Sequence, residues 1–184
     1  MKEKIYEESI KEETETTIER SMKLDNYIEF IKEKHKGQTR IQGTPYYMHP
    51  LEVSNILHEK GFPIEYQIAG LFHDLLEDTN ATYEELVKIS NKEIVDAVKL
   101  VTKEKEYVMS EYIDRIMKND MARMVKLADR LHNLSETHLA SKRFKERYIK
   151  ETEKWFIDLA AGTVFEENIK NTLDNLKQEL HEEI

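Results

Sequence analysis

The sequence predicts an all-α protein, on three observations. Five Gly and three Pro are spread over 184 residues, too few turn-formers for a strand-and-turn fold. Charged residues make up 35% of the chain, which suits long helices with solvated faces. Apolar side chains recur at three- and four-residue intervals nearly throughout, the helical period.

The elements follow in order. Residues 1–21 are expected to form a charged helix or arm. They carry seven Glu, with Ile5, Tyr6, Ile10 and Ile18 as sizeable apolar side chains, little surface for firm docking. Residues 22–184 are expected to be one domain, large enough for a substantial core. The first helix of that domain is placed at 22–36 by Met22, Tyr27, Ile28, Phe30 and Ile31, and Gly37 ends it. A loop over 38–49, broken by Gly43 and Pro45, carries Arg40 and His49. Helices at 50–60 and 64–77 flank the Gly61-Phe62-Pro63 break. Thr82 with Glu85 resembles a capping box opening a short helix. Further helices are expected at 91–102, 110–118, 121–134, 142–160 and 163–182. In the last, Phe165, Ile169, Leu173, Leu176, Leu180 and Ile184 form one apolar face. Core packing is the first reading of that face, and a contact in a homo-oligomer is the second.

Composition narrows the function classes. With no Cys, disulfides and thiolate metal sites drop out, and a reducing cytoplasm is the expected location. No apolar run reaches the length of a membrane span, and the N-terminus has no signal core. The net charge of −9 argues against nonspecific nucleic-acid binding. It is concentrated at the two ends of the chain, which leaves the middle near balance and able to hold a small anion locally.

Three segments stand out chemically: Tyr46-Tyr47-Met48-His49-Pro50, His73-Asp74-Leu75-Leu76-Glu77-Asp78, and Val125 to Asn133. The middle one follows the apolar stretch Ile68-Ala69-Gly70-Leu71-Phe72, where burying charge is costly without compensation. Imidazoles and carboxylates together can hold a divalent cation, so a metal-dependent hydrolase is the leading idea. On a continuous helix His73 would share a face with Glu77, Asp74 with Asp78, and Asp129 with Asn133. Acidic residues at a helix C-terminus oppose its dipole, which makes Glu77 and Asp78 functional candidates. His35 is expected to be structural or to support a ligand. His58, His132, His138 and His181 are expected at the surface or in packing. Lys103, Arg115, Arg123, Lys126 and Arg130 are expected to be solvated charges, with a phosphate or ion-pair role open for Lys126 or Arg130.

These residues resemble the HD superfamily of metal-dependent phosphohydrolases, and within it the hydrolase domain of the RelA/SpoT proteins. The resemblance covers roughly residues 22–160 and rests on the run His35 to Val53, on Ala69 to Thr79, and on Val125 to Asn133. It implies an HD-domain helical bundle. It further implies that His49, His73, Asp74 and Asp129 bind one divalent metal, with manganese typical. Glu77 and Asp78 would handle the attacking water, and Arg40, Asn133 and Lys126 the nucleotide substrate. The implied reaction is removal of the 3′ pyrophosphate from guanosine tetra- and pentaphosphate, in a small, hydrolase-only form. Ile41 stands where the family has a basic residue, and Leu134-Ser135-Glu136 where it has Met-Arg-Thr or a close variant. Two alternatives stay open at this stage. One is the same chemistry on another nucleotide or phosphoester; the other is a non-catalytic nucleotide-binding module.

Overall fold

The structure, a computed structural model, describes residues 23–137 and 140–182. The expected arm over 1–21 lies outside the described residues, as do His138 and Ile184. Among the described residues the regular structure is helical, and a lone bridge pairs Thr39 with Pro45.

Helix α1 spans 23–34, and Gly37 turns the chain away with φ +81°, a left-handed conformation that favours glycine. The 38–47 loop is a tight hairpin. Arg40 N–H donates to Thr44 O (2.9 Å), and Gly43 N–H donates to Arg40 O (2.9 Å). Helix α2 runs Met48–Glu59, so His49 lies inside its first turn rather than before it. Pro50 fits there because first-turn N–H groups need no helical partner.

Helix α3, Ile64–Phe72, is buried from Gln67 to Phe72 and packs against α2. Gly70 permits that approach: a Cβ there would come within 2.9 Å of Leu57 Cδ1 and 3.3 Å of the Ser54 backbone. The expected helix over 64–77 is interrupted at His73–Asp74, and a single turn, α4 (Leu75–Asp78), follows. The cause is local. The His73 imidazole takes the Gly70 carbonyl at 2.7 Å, the acceptor that a continuing helix would offer to the Asp74 N–H. The macrodipole argument for Glu77 and Asp78 therefore falls away, because one turn has no extended dipole.

The next three helices are α5 (Tyr83–Ile89), α6 (Lys92–Val101) and α7 (Met109–Met117). Thr82 caps α5 by accepting from the Glu85 N–H (3.2 Å). The capping box is only half made, because the Glu85 carboxylate binds Lys34 (2.8 Å). Helix α8, Asp120–Ser135, is capped by Asn119 and packs against α2, α3, α6, α7 and α11. Arg115 and Arg123 are not idle solvated charges. They donate to C-terminal carbonyls, Arg115 to Leu100 and Thr102 and Arg123 to Leu159 and Ala161.

The expected helix over 142–160 comes in three parts: α9 (Lys142–Glu151), a π-helical turn (Thr152–Phe156) and α10 (Ile157–Ala160). The Thr152 hydroxyl donates to Tyr148 O (2.7 Å), and the widened turn brings Phe156 to 3.6 Å from the Arg130 guanidinium carbon. Arg130 is thus buried at 2% exposure, between Phe156 and Tyr148 (4.1 Å) and ion-paired with Glu151. That corrects the expectation that it is solvated. Helix α11, Glu166–Glu182, turns its stripe inward: Phe165, Ile169, Leu173 and Leu176 are all buried. Core packing accounts for that face.

Candidate metal centre and its cavity

The first turn of α2, the end of α3 and the middle of α8 bring His49, His73 and Asp129 together. All three are buried, and one ligand atom from each lies within 4.8 Å of the others. His49 Nε2 is 3.1 Å from Asp129 Oδ1 and 3.2 Å from His73 Nε2, and His73 Nε2 is 3.7 Å from Asp129 Oδ1. Asp74 flanks the trio, with Oδ1 3.2 Å from His73 Nε2 and Oδ2 3.6 Å from His49 Nε2.

The tautomers suit a cation. A carbonyl only accepts, so His73 carries its hydrogen on Nδ1, toward Gly70, and turns Nε2 into the cluster. His49 Nδ1 faces His132 Nδ1 at 2.8 Å. Burial first, and then the imidazole beside it, lower the pKa of His132 to about 4 and leave it neutral. With the His132 hydrogen on Nε2, the side of Glu136 Oε1 (3.8 Å), His49 donates from Nδ1 and keeps Nε2 free. Separations of 3.1–3.7 Å are the edges of a coordination shell with bonds of roughly 2.1 Å. Two imidazole nitrogens and carboxylate oxygens fit a divalent transition metal. Without one, a proton takes its place. Burial opposes charge on His73, but the Asp74 and Asp129 carboxylates outweigh it and push its pKa up to about 10.

The neighbours are tied to this cluster. Lys126 Nζ pairs with Asp129 Oδ2 at 2.7 Å. Burial disfavours both charges, yet each holds the other ionised, raising the lysine and lowering the acid. Lys126 is therefore a buried ion-pair partner, not a solvated charge. Asn133 Nδ2 donates to Asp129 Oδ1 (2.5 Å), and Arg40 donates to Asn133 Oδ1 (2.9 Å). The Tyr46 hydroxyl lies 2.8 Å from Asp74 Oδ2 and 2.9 Å from Asp78 Oδ2. Its ring stacks on His35 at 4.8 Å, which gives His35 the supporting place expected of it. Glu77 Oε2 accepts from the Lys103 backbone N–H (2.9 Å).

A cavity of about 790 Å³ opens over the cluster. Arg40, Glu77, Asp78, Lys126 and Asn133 all line it, together with His49, Asp74 and Asp129. His73 lies behind them, in contact with His49. Lys103 and Arg147 add positive charge to the wall, and Arg130 lines it in its ion pair with Glu151.

Three participants were not singled out from sequence: Tyr46, His132, and Glu136 as the partner of Arg40 (2.6 Å). A signal existed for two of them. Tyr46 precedes His49 by three residues, and His132 follows Asp129 by three, each about one helical turn away. What spacing could not supply was the approach of α2 to α8.

The model of a family described as "HD domain" matches residues 28–163. The guanosine-3′,5′-bis(diphosphate) 3′-pyrophosphohydrolase of Aquifex aeolicus is 34% identical over 169 residues, covering 85% of this chain and 24% of that protein. The bifunctional (p)ppGpp synthase/hydrolase SpoT of Escherichia coli is 32% identical over 140 residues, covering 70% of this chain and 20% of its own length. The chain thus spans about a quarter or less of these curated relatives. Among solved structures, a metazoan ortholog of SpoT described as hydrolysing ppGpp superposes with a TM-score of 0.72 at 26% identity. That match covers 85% of this chain and 94% of the other. Among the described residues, no helix is long and apolar enough to cross a membrane.

Proposed function

Because the chain belongs to the HD-domain family, we propose that it is a metal-dependent phosphohydrolase that removes the 3′ pyrophosphate from guanosine-3′,5′-bis(diphosphate). One observation carries the reading. The buried His49–His73–Asp129 trio meets, through His49 and Asp129, the cavity whose wall also carries Lys103 and Arg147. A cation site beside a lysine and an arginine suits a polyphosphate substrate. Relatives that carry this activity in their names support the choice of nucleotide.

In this reading His49, His73, Asp74 and Asp129 hold one divalent ion, with manganese as the proposed metal. When bound, it supplies Lewis acidity at the phosphoryl oxygen and lowers the pKa of water. Asp78, on the Tyr46 hydroxyl, and Glu77, on the Lys103 N–H, are the carboxylates at hand to orient that water and accept its proton. Gly70 fixes the His73 ring, and His132 fixes His49, so neither imidazole must reorient during turnover. Arg40 and Asn133 hold the nucleoside, and Lys126 balances charge beside Asp129. The reaction is placed in the cytoplasm, consistent with a chain without Cys.

The test pairs manganese, magnesium, iron, cobalt and zinc with guanosine-3′,5′-bis(diphosphate) and a panel of other nucleotides, reading pyrophosphate and phosphate separately. Manganese-dependent pyrophosphate release from the guanosine compound is the expected result. Turnover of another nucleotide alone would keep the metal site and discard this substrate.

A further inference from the structure

The face of α8 that starts at the metal centre does not end there. Asp129, Asn133 and Glu136 follow one another at about one turn each, and Glu136 lies roughly 10 Å along the axis from Asp129 at 1.5 Å per residue. That is about the reach of a nucleoside from its sugar phosphate to the far edge of its base. At this end Arg40 donates to Asn133 Oδ1 and to Glu136 Oε2, at 2.9 and 2.6 Å. Glu136 Oε1 lies 3.8 Å from His132 Nε2. Glu136 is partly buried, with 30% of its side chain exposed, and Ile41 also lines this cavity.

The charge here differs from that of the rest of the cavity. The carboxylate cancels the guanidinium, so this wall is close to neutral, and Glu136 repels phosphate. Phosphates are drawn instead toward Lys103 and Arg147. A nearly neutral wall that offers both fixed donors and fixed acceptors suits a nucleobase edge. Its pattern is specific as well. An ionised carboxylate is acceptor-only, matching the adjacent N1–H and N2–H donors of guanine, while Arg matches acceptors such as O6 and N7. Adenine would bring its N1 lone pair against the carboxylate, and hypoxanthine lacks the second donor.

We propose that Glu136 is the specificity-determining residue of this pocket, selecting guanine over adenine and hypoxanthine through its carboxylate beside Arg40. The inference rests on the nucleotide reading above. It concerns a residue at which this chain departs from the Met-Arg-Thr pattern.

The test uses the full chain with manganese. It measures kcat/KM on the 3′,5′-bis(diphosphates) of guanosine, inosine and adenosine, and calorimetric Kd for GDP, IDP and ADP. The parent should favour guanine over hypoxanthine by roughly tenfold to a hundredfold, the range of a hydrogen bond to a charged group. Glu136→Ala should bring GDP and IDP within about threefold of each other, whereas the isosteric Glu136→Gln, which can donate to N1 of adenine, should raise ADP relative to GDP. Because each readout is a ratio within one protein, partial loss of folded material does not distort it. An unchanged GDP-to-IDP ratio in Glu136→Ala overturns the inference and leaves the hydrolase reading standing. If the parent cleaves none of the three compounds, the hydrolase reading fails, and the binding ratios still decide the role of Glu136.

Discussion

Replacing Tyr46 by Phe removes one oxygen from the centre of the site and little else. That hydroxyl lies 2.8 Å from Asp74 Oδ2 and 2.9 Å from Asp78 Oδ2. It is the group that separates a proposed metal ligand from a proposed water-handling carboxylate. Burial and the two acids push its pKa well above the ordinary phenol value, so it remains a donor throughout the working pH range. A hydrogen bond to a charged acceptor contributes about 1.5–3 kcal/mol. The ring itself, stacked on His35, stays in place in the Phe variant. The loss therefore falls on the carboxylates and corresponds to roughly a tenfold to hundredfold fall in kcat/KM at 1.4 kcal/mol per factor of ten. Part should appear as weaker manganese binding through Asp74 and part as lower kcat through Asp78. Pyrophosphate release, manganese titration calorimetry and far-UV circular dichroism on one preparation separate these from misfolding. A folded Tyr46→Phe protein with kcat/KM within about twofold of the parent would refute the assignment of Tyr46 and, with it, the pairing of Asp74 and Asp78.

Asp74→Ala should abolish metal binding, while Glu77→Ala should keep the metal and lose most turnover; manganese titration beside steady-state kinetics tells the two roles apart. Asp129→Ala removes a ligand and strands the buried Lys126 ammonium. It should cost about 3–5 kcal/mol of stability, read as a lower urea midpoint in metal-free protein. Metal and proton compete at His73, whose pKa is raised to about 10 from 6.5. In the metal-free protein the stabilising contribution of that proton is complete below pH 6.5 and lost as pH rises through 10. Manganese binding at pH 7–8 should accordingly release about one proton and weaken as pH falls, measured by calorimetry in buffers of different ionisation enthalpy. No proton release would remove His73 from the ligand set.

The helices were largely legible because their punctuation is local. Gly37 ends α1, Gly61-Phe62-Pro63 separates α2 from α3, and Asn91, Asn119 and Ser141 each cap a helix through their own side chains. The failures share a different cause. The break at His73–Asp74 depends on an imidazole choosing a backbone carbonyl, a choice made by the cluster it faces. The π turn at Thr152 depends on Arg130, which is 22 residues away in sequence and packs on Phe156. His132 looked like an ordinary helix histidine until α2 carried His49 to within 2.8 Å of it. Side chains that answer to a partner on another helix are invisible to spacing along one.

On the proposed function, the arrangement of charge accounts for how a chain with net charge −9 would take a polyanion. Before any ligand arrives, Lys126 is matched by Asp129, Arg40 by Glu136, Arg130 by Glu151 and the His73 imidazolium by Asp74. On that reading the matched pairs govern what the cavity accepts. His49, His73 and Asp129 would hold a divalent ion in place of one proton, which would add net positive charge where the carboxylates had been balanced. That added charge favours the scissile phosphate there, while the Arg40–Glu136 pair at the other end of the α8 face remains neutral and favours a base. On the proposed reading, one helix face, from Asp129 to Glu136, sets both the end at which phosphate is held and the end at which it is refused.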